Sequence, residues 1–308
     1  EYRPKEYLYG NDPQILTQFE LEDKIFNNDF HAETVVMIQC VGSRNEEHPY
    51  CSRICCTHSI KNALKIKELH PQTEVYILYR DIRAYGFREA YYTKAREAGV
   101  IFIRYNKDEE PQVSNTNGHL SVKVKDALLG TPVEIRPDLI SLAAAIVPGD
   151  SHKELAQALK VALTEDNFFL EAHRKLRPVD FAAEGIFMCG LSHSPMGVDE
   201  CISQASGAAA RATTILSRET LELEPTISHL IEEKCDGCAY CVDPCPFKAI
   251  TLFEYEVDGQ TKKMVKVDES QCKGCGTCMA TCPKDAIFVW HFKLDQLRAM
   301  VNEALNVE

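Results

Sequence analysis

The sequence predicts an α/β unit followed by a small, cysteine-rich α+β unit. Three observations carry this expectation. From residue 34 to 217 short apolar strands alternate with longer helical stretches; a Glu-rich linker over 218–225 breaks that alternation; beyond it the composition turns abruptly to cysteine, proline and glycine, with one cysteine spacing written twice.

The α/β elements follow in order. Residues 34–39 (TVVMIQ) read as a buried strand, 52–69 as a helix with apolar positions at Ile60, Leu64 and Ile66, and 74–79 (EVYILY) as a second strand, which together make one βαβ unit. A helix over 88–98 stops at Gly99, and 100–105 gives another strand. Residues 122–125 and 131–136 read as an antiparallel pair around Gly130, and 139–147 as a further buried strand. A polar, amphipathic segment covers 151–177. Residues 185–189 (GIFMC) read as a short strand running into Gly190, and the Ala- and Ser-rich stretch 199–216 as a closely packed helix. Residues 1–33 are expected to be an extended N-terminal segment, 218–290 the cysteine-rich domain, and 291–308 a closing helix with Leu294, Leu297, Met300, Val301 and Leu305 on one face, expected to pack on its own domain, with docking to a partner as the alternative.

With 308 residues and 45% apolar content the chain can bury a full core. Its formal charge of −12 disfavours nucleic acid and anionic membrane surfaces as partners. The longest apolar run, near residues 139–147, is about half of the roughly 20 residues that a membrane-spanning helix needs, so no direct membrane insertion is expected. The start, Glu1-Tyr-Arg-Pro, has no apolar signal core, and a cytoplasmic location is expected.

Of 14 cysteines, twelve fall into three tight groups separated by long cysteine-free stretches. Disulfide frameworks spread their cysteines through short, loop-rich chains; grouped thiolates are metal ligands first. Cys235, Cys238, Cys241 and Cys245 with Pro246 form C-x2-C-x2-C-x3-C-P, and Cys272, Cys275, Cys278 and Cys282 with Pro283 repeat it. This is the spacing of a bacterial ferredoxin with two 4Fe-4S clusters. Three closely spaced thiolates curl around one cubane, and the fourth serves the other cluster. One cluster is therefore assigned to Cys235, Cys238, Cys241 and Cys282, and the other to Cys272, Cys275, Cys278 and Cys245. Gly237, Gly274 and Gly276 suit the tight loops this requires. Zinc sites use two cysteine pairs with a long spacer, which is a different pattern.

The third group is Cys40, at the end of the first α/β strand, with Cys51, Cys55 and Cys56 at the mouth of the following helix. In a dinucleotide-binding unit that turn would carry G-x-G-x-x-G. The fingerprint is absent, and four cysteines stand where phosphates would lie. The residues alone allow a metal cluster in the crevice, buried free cysteines or a redox disulfide.

At these residues the chain resembles the iron-sulfur flavoprotein of heterodisulfide reductase, its A-type component, and the bacterial relatives of that protein, through CVGSRNEEHPYCSRICC, YILYRDIRAYG and KLRPVDFAAEGIFMCG. The resemblance implies a thioredoxin-reductase-like, Rossmann-type dinucleotide-binding domain over 34–217, N-terminally incomplete, followed by the α+β ferredoxin domain. It implies a third 4Fe-4S cluster on Cys40, Cys51, Cys55 and Cys56, beside an FAD that takes electron pairs and hands them out singly, in some members to two acceptors. It further implies other redox subunits in a hetero-oligomeric complex. The family's N-terminal FAD unit, with G-x-G-x-x-G and an acidic residue after its second strand, has no counterpart in these residues. The rest of the flavin site is then supplied by a longer polypeptide or a separate subunit, or the flavin is lost and the chain is an electron wire. A quinone-linked relative that does not bifurcate is a further alternative. What remains is the strand-loop-helix from Gly185, with Gly190, Leu191, Asp199, Glu200 and Cys201 as flavin contacts; the usual Gly-Asp is Gly190-Leu191 here. A helix N-terminus there would stabilise a reduced, anionic flavin. Cys189 and Cys201 also read as small core residues. His58, His173, His193 and His291 read as structural or exposed, with His193 nearest the flavin-facing loop, and Arg80, Arg83 and Arg104 read as solvated charges near strand ends.

Overall fold

A computed structural model describes residues 1–220, 225–257 and 259–305, so part of the expected linker, residues 221–224, lies outside the described residues. The chain divides into two compact units, Glu1–Ser217 and Arg218–Glu308.

In the first unit the elements run β1 (Ile15–Thr17), α1 (Gln18–Phe26), β2 (Thr34–Val41), α2 (Cys55–Leu69), β3 (Glu74–Tyr79), α3 (Glu89–Glu97), β4 (Ile101–Arg104), β5 (Gln112–Thr116), β6 (His119–Lys125), β7 (Pro132–Ile135), β8 (Leu139–Ala144), α4 (His152–Leu159) and α5 (Val198–Leu216). Five strands form a wholly parallel sheet in the order β1-β8-β2-β3-β4. This is an α/β fold, as the alternation predicts, and of Rossmann type, as the resemblance implies.

Both faces of the sheet are covered, which is why β2 reads as a continuous apolar run. Val35, Met37, Val75 and Ile77 pack under α1 and α2 with Leu21, Ile60 and Ile66. Val36, Ile38, Leu78, Ile140 and Leu142 face the antiparallel sheet β5-β6-β7, through Leu120, Val122 and Val124. Each such fully buried aliphatic side chain contributes roughly 1.5–3 kcal/mol.

Two expectations are corrected. Residues 1–33 are not merely extended: β1 pairs with β8, and α1, capped by the reciprocal Thr17 and Glu20 bonds, buries Leu21 and Ile25. Residues 185–189 are not a strand: Phe187 makes a single isolated bridge to Asp180, and Met188 joins Phe169 and Phe181 in a satellite cluster.

The second unit contains β9 (Ser228–Leu230), β10 (Ile250–Val257), β11 (Gln260–Val267), α6 (Thr277–Thr281), β12 (Ile287–Val289) and α7 (Leu294–Leu305). β9 pairs antiparallel with β12, and β10 with β11. α7 has no buried residue; Leu294, Met300, Val301 and Leu305 are exposed, contrary to the expectation that this face packs on its own domain.

Candidate metal centres and the adjoining cavity

The backbone of the second unit repeats as the cysteine spacing does. Gly237 and Gly274, each two residues after a motif's first cysteine, have positive φ, as do Ala239 and Gly276, and Lys248 and Asp285. After the fourth cysteine of each motif, a backbone N–H four residues on donates to its sulfur: Ala249 to Cys245 at 3.4 Å and Ala286 to Cys282 at 3.3 Å. A side chain cannot replace Gly237 or Gly274, because a Cβ would lie 2.6 Å from the Lys263 carbonyl oxygen or 2.2 Å from that of Thr226.

Two small cavities result, each with about 280 Å³ of atom-free space, open mouth included. Cys235, Cys238, Cys241 and Cys282 line the first; Cys245, Cys272, Cys275 and Cys278 line the second. The fourth cysteine of each motif thus sits with the first three of the other, the exchange that the spacing predicts. The thiol of Cys241 is pushed up to about 11 by burial, with neighbouring thiols adding to the effect. Cys275 is lowered by the Thr277 hydroxyl, and Ser228 donates its N–H to Cys272 at 3.3 Å with its hydroxyl 3.0 Å from Cys278. Sulfur-rich pockets with apolar walls and N–H donors fit an iron-sulfur cluster, whose iron stabilises the thiolate charge that burial disfavours.

In the first unit, a register shift between Ile38 and Val41 and a left-handed Cys40 (φ 64°) mark the end of β2. The chain then turns at Gly42 (φ 73°), where a Cβ would enter the Tyr2 ring. Ser52 accepts from the Ile146 N–H at 2.9 Å and Tyr50 donates to the Ile146 carbonyl at 3.0 Å, which anchors both flanks of Cys51 to the end of β8. Cys55 and Cys56 open α2. Burial pushes the Cys55 thiol far up, with Cys56, Cys40 and Cys51 adding to it, and raises Cys56 to about 11. Cys40 is raised by burial too, against the pull of Arg44 and Arg80. Cys40, Cys55 and Cys56 therefore share one electrostatic neighbourhood, with Cys51 among its contributors, in which those three thiols resist ionisation; a cationic centre would relieve that. Arg80 is not a solvated charge: it is buried, donating to the Arg44 carbonyl and to Glu110.

Next to this group lies a larger cavity than either of the two in the second unit, with about 990 Å³ of atom-free space, open mouth included. Cys55 and Leu191 both line it, with Phe19, Ile146 and Val147 giving apolar walls. Among the candidate flavin contacts, Leu191 is the one on the cavity wall. Gly190 begins the turn that carries Leu191 and donates its N–H to Gln204 at 3.0 Å; the Gln204 amide in turn meets His193 Nδ1 at 2.9 Å, and His193 Nε2 meets Glu171 at 3.0 Å. Asp199 pairs with Arg88, while Glu200 accepts from the Gly197 N–H at 2.9 Å and pairs with Arg53. Cys201 packs beneath Gly190, and Cys189 is exposed rather than in the core. His58 and Gln18, on the cavity wall, carry no sequence signal beyond residue type; their approach depends on α1 packing on α2.

Residues 234–286 match the family model described as a 4Fe-4S dicluster domain. The second of the A-type iron-sulfur subunits of CoB–CoM heterodisulfide reductase from Methanopyrus kandleri is 39% identical over 269 residues, covering 81% of this chain and 40% of that protein. The A-type component of the H2:CoB-CoM heterodisulfide,ferredoxin reductase from Methanothermobacter marburgensis is 37% identical, with the same coverage. The chain spans about two fifths of the length of these curated relatives. Thioredoxin reductases from T. acidophilum (16% identity, TM-score 0.44, 69% of this chain and 59% of that one) and Lactococcus lactis (19%, 0.45, 70% and 62%) are among the solved structures it resembles. A Rossmann-type α/β unit followed in the chain by a dicluster domain defines an iron-sulfur protein of the redox class. Within that class, the chain is similar to A-type heterodisulfide reductase subunits over 81% of its own length. No helix among the described residues is long and apolar enough to cross a membrane.

Proposed function

We propose that this chain forms part of an iron-sulfur flavoprotein subunit that distributes electrons between FAD and three 4Fe-4S clusters within a cytoplasmic, hetero-oligomeric oxidoreductase. Cys235, Cys238, Cys241 and Cys282 would hold one cluster, Cys245, Cys272, Cys275 and Cys278 the second, and Cys40, Cys51, Cys55 and Cys56 the third. The flavin would supply the exchange between electron pairs and single electrons, and the clusters single-electron transfer.

The observation that carries the reading is the shared cavity: Cys55 of the third group and Leu191 of the flavin-facing turn line the same space. Its apolar surfaces, from Phe19, Ile54, Ile146, Val147 and Leu191, would shield from water the face of a group bound against them and strengthen that group's electrostatic interactions. The turn with Leu191 is held by the chain of hydrogen bonds through Gln204, His193 and Glu171. The name of the Methanothermobacter relative, which joins a heterodisulfide and a ferredoxin, supports distribution to two acceptors, that is, bifurcation.

The test is anaerobic purification of the complex with iron, sulfide and FAD measured per chain. About twelve irons, from three four-iron clusters, and one FAD are expected. Eight irons would remove the third cluster, absence of FAD would remove the flavin, and zinc in place of iron would overturn the assignment.

A further inference from the structure

Arg44 follows Cys40 after one short turn and is held from three sides. Its N–H donates to the Tyr50 carbonyl at 3.1 Å, its carbonyl accepts from Arg80 Nη1 at 3.0 Å, and its Nη2 pairs with Asp81 Oδ2 at 2.7 Å. Its backbone is left-handed, with φ 57°, a conformation that a residue other than glycine keeps where its surroundings fix it. The other arm of the guanidinium, Nη1, stands 4.0 Å from Cys40 Sγ. The side chain is 23% exposed, so water screens its charge only in part. Nor do the neighbouring carboxylates cancel that charge. Asp81 is 45% exposed and shared with Arg104 Nη2 at 3.9 Å, while Glu110 pairs with Arg80 at 2.5 Å, which leaves three guanidiniums to two carboxylates.

The second unit meets its sulfurs differently: Ser228, Ala249 and Ala286 donate neutral backbone N–H groups to Cys272, Cys245 and Cys282. Arg44 brings a full positive charge instead. At 4.0 Å the contact is at the outer edge of an N–H···S bond, so what reaches Cys40 is charge more than a directed bond. Arg44 indeed works against burial at the Cys40 thiol, pulling it toward the thiolate. We infer that Arg44 sets the reduction potential of the cluster on Cys40, Cys51, Cys55 and Cys56, its charge held beside Cys40 by Asp81 and favouring the reduced form. This rests on the third-cluster reading above. Four thiolates leave such a cluster anionic, and one electron taken from the flavin adds one more negative charge, which the guanidinium stabilises through the Cys40 sulfur. Asp81 is then a positioning residue: it fixes the arm of Arg44 that does not face the sulfur.

The test is a redox titration of the anaerobically purified complex followed by electron paramagnetic resonance, with the signal that Cys55→Ser alters taken as that of the third cluster. Arg44→Gln removes the charge and should lower the reduced-to-oxidised ratio of that cluster about tenfold at a fixed potential, a downward shift of about 59 mV for one electron, with about twelve irons kept and the other two clusters unmoved. Arg44→Lys keeps the charge and should stay within about threefold of the parent ratio. It decides the matter if the Gln variant does not hold the cluster: a drop of about tenfold in the Lys variant would mean that the shape of the guanidinium matters and its charge does not, and would overturn the inference. An unchanged potential in Arg44→Gln with its iron complete would overturn it as well and leave the third cluster standing. A parent complex with about eight irons would remove the cluster and the inference together.

Discussion

The Arg53 guanidinium meets the Glu200 carboxylate at 2.6 Å, tying the loop that carries Cys51 to the first turn of α5. Arg53 also donates to the Pro195 carbonyl at 3.2 Å and to the Tyr85 hydroxyl at 2.7 Å. The ion pair is over a third exposed and by itself is worth at most about 1 kcal/mol. The backbone and hydroxyl bonds add to it. Arg53→Ala should therefore cost about 1–2 kcal/mol in urea unfolding of the α/β unit, and Glu200→Gln less than half of that. Equal losses would show that the ion pair alone matters.

Asp180 predicts an acid limit to stability. Its side chain is 2% exposed and accepts from Arg177 at 3.0 Å and from Arg211 of α5 at 3.2 Å. Burial works to raise this carboxyl, but the hydrogen bonds and charges of Arg211 and Arg177 outweigh it and hold it below the ordinary range. A depressed folded-state pKa gives stability that is fully present above the unfolded value, about 3.9, and lost as pH falls through the folded value. Asp180→Asn should cost about 1–3 kcal/mol at neutral pH and flatten the pH dependence of unfolding below about pH 4. An unchanged acid limb would remove Asp180 from that account.

How far the sequence could be read depended on whether a signal was local. The strand over Glu74–Tyr79 was legible to the residue because sheet burial on both faces writes a continuous apolar run, and the placing of Cys245 beside the second motif's cysteines and of Cys282 beside the first's was legible because one spacing is written twice. β1 was not, since three residues carry no period and its pairing with β8 lies over a hundred residues away. β5 is nearly all exposed polar residues, and so has no apolar alternation to find. Asp199 and Glu200 looked like ligand contacts, yet their partners Arg88 and Arg53 come from more than a hundred residues upstream. That the Gln18 amide nitrogen is buried without a hydrogen-bond partner is a property of packing and has no sequence signature at all.

The exchanged ligand assignment makes a sharp prediction for Cys245→Ser. Cys245 belongs by sequence to the first motif, but it lines the cavity with Cys272, Cys275 and Cys278. Its substitution should alter the electron paramagnetic resonance signal of the same cluster as Cys275→Ser, while Cys282→Ser should alter that of Cys238→Ser. If Cys245→Ser instead paired with Cys238→Ser, the exchange would be wrong.

The two-fold character of the second unit separates its glycines. Gly274→Ala would place a Cβ 2.2 Å from the Thr226 carbonyl oxygen, so backbone must move; Gly276, with nothing within 4 Å of its would-be Cβ, faces only the cost of positive φ. Ala239 already occupies the position equivalent to Gly276 with φ 63°. Gly276→Ala should therefore cost about 1 kcal/mol and keep its iron, whereas Gly274→Ala should cost several-fold more and lose cluster occupancy. Thermal unfolding with iron analysis distinguishes the two, and matched losses would deny the close approach a role.

Ser228 reaches the second cavity with two donors of different kinds: its N–H to Cys272 and its hydroxyl at 3.0 Å from Cys278. Reduction adds negative charge to a cluster and its sulfurs, so a hydrogen bond to sulfur favours the reduced state and raises the potential. Ser228→Ala removes the hydroxyl and leaves the backbone donor in place, and the residue is 4% exposed, so water does not readily substitute. One hydrogen bond of about 0.5–1.5 kcal/mol corresponds to about 20–60 mV for a one-electron couple. A redox titration should then show the cluster of Cys245, Cys272, Cys275 and Cys278 shifted down by that amount and the cluster of Cys235, Cys238, Cys241 and Cys282 unmoved. A shift of both together would mean that the hydroxyl supports the fold of the unit rather than the charge on one set of sulfurs.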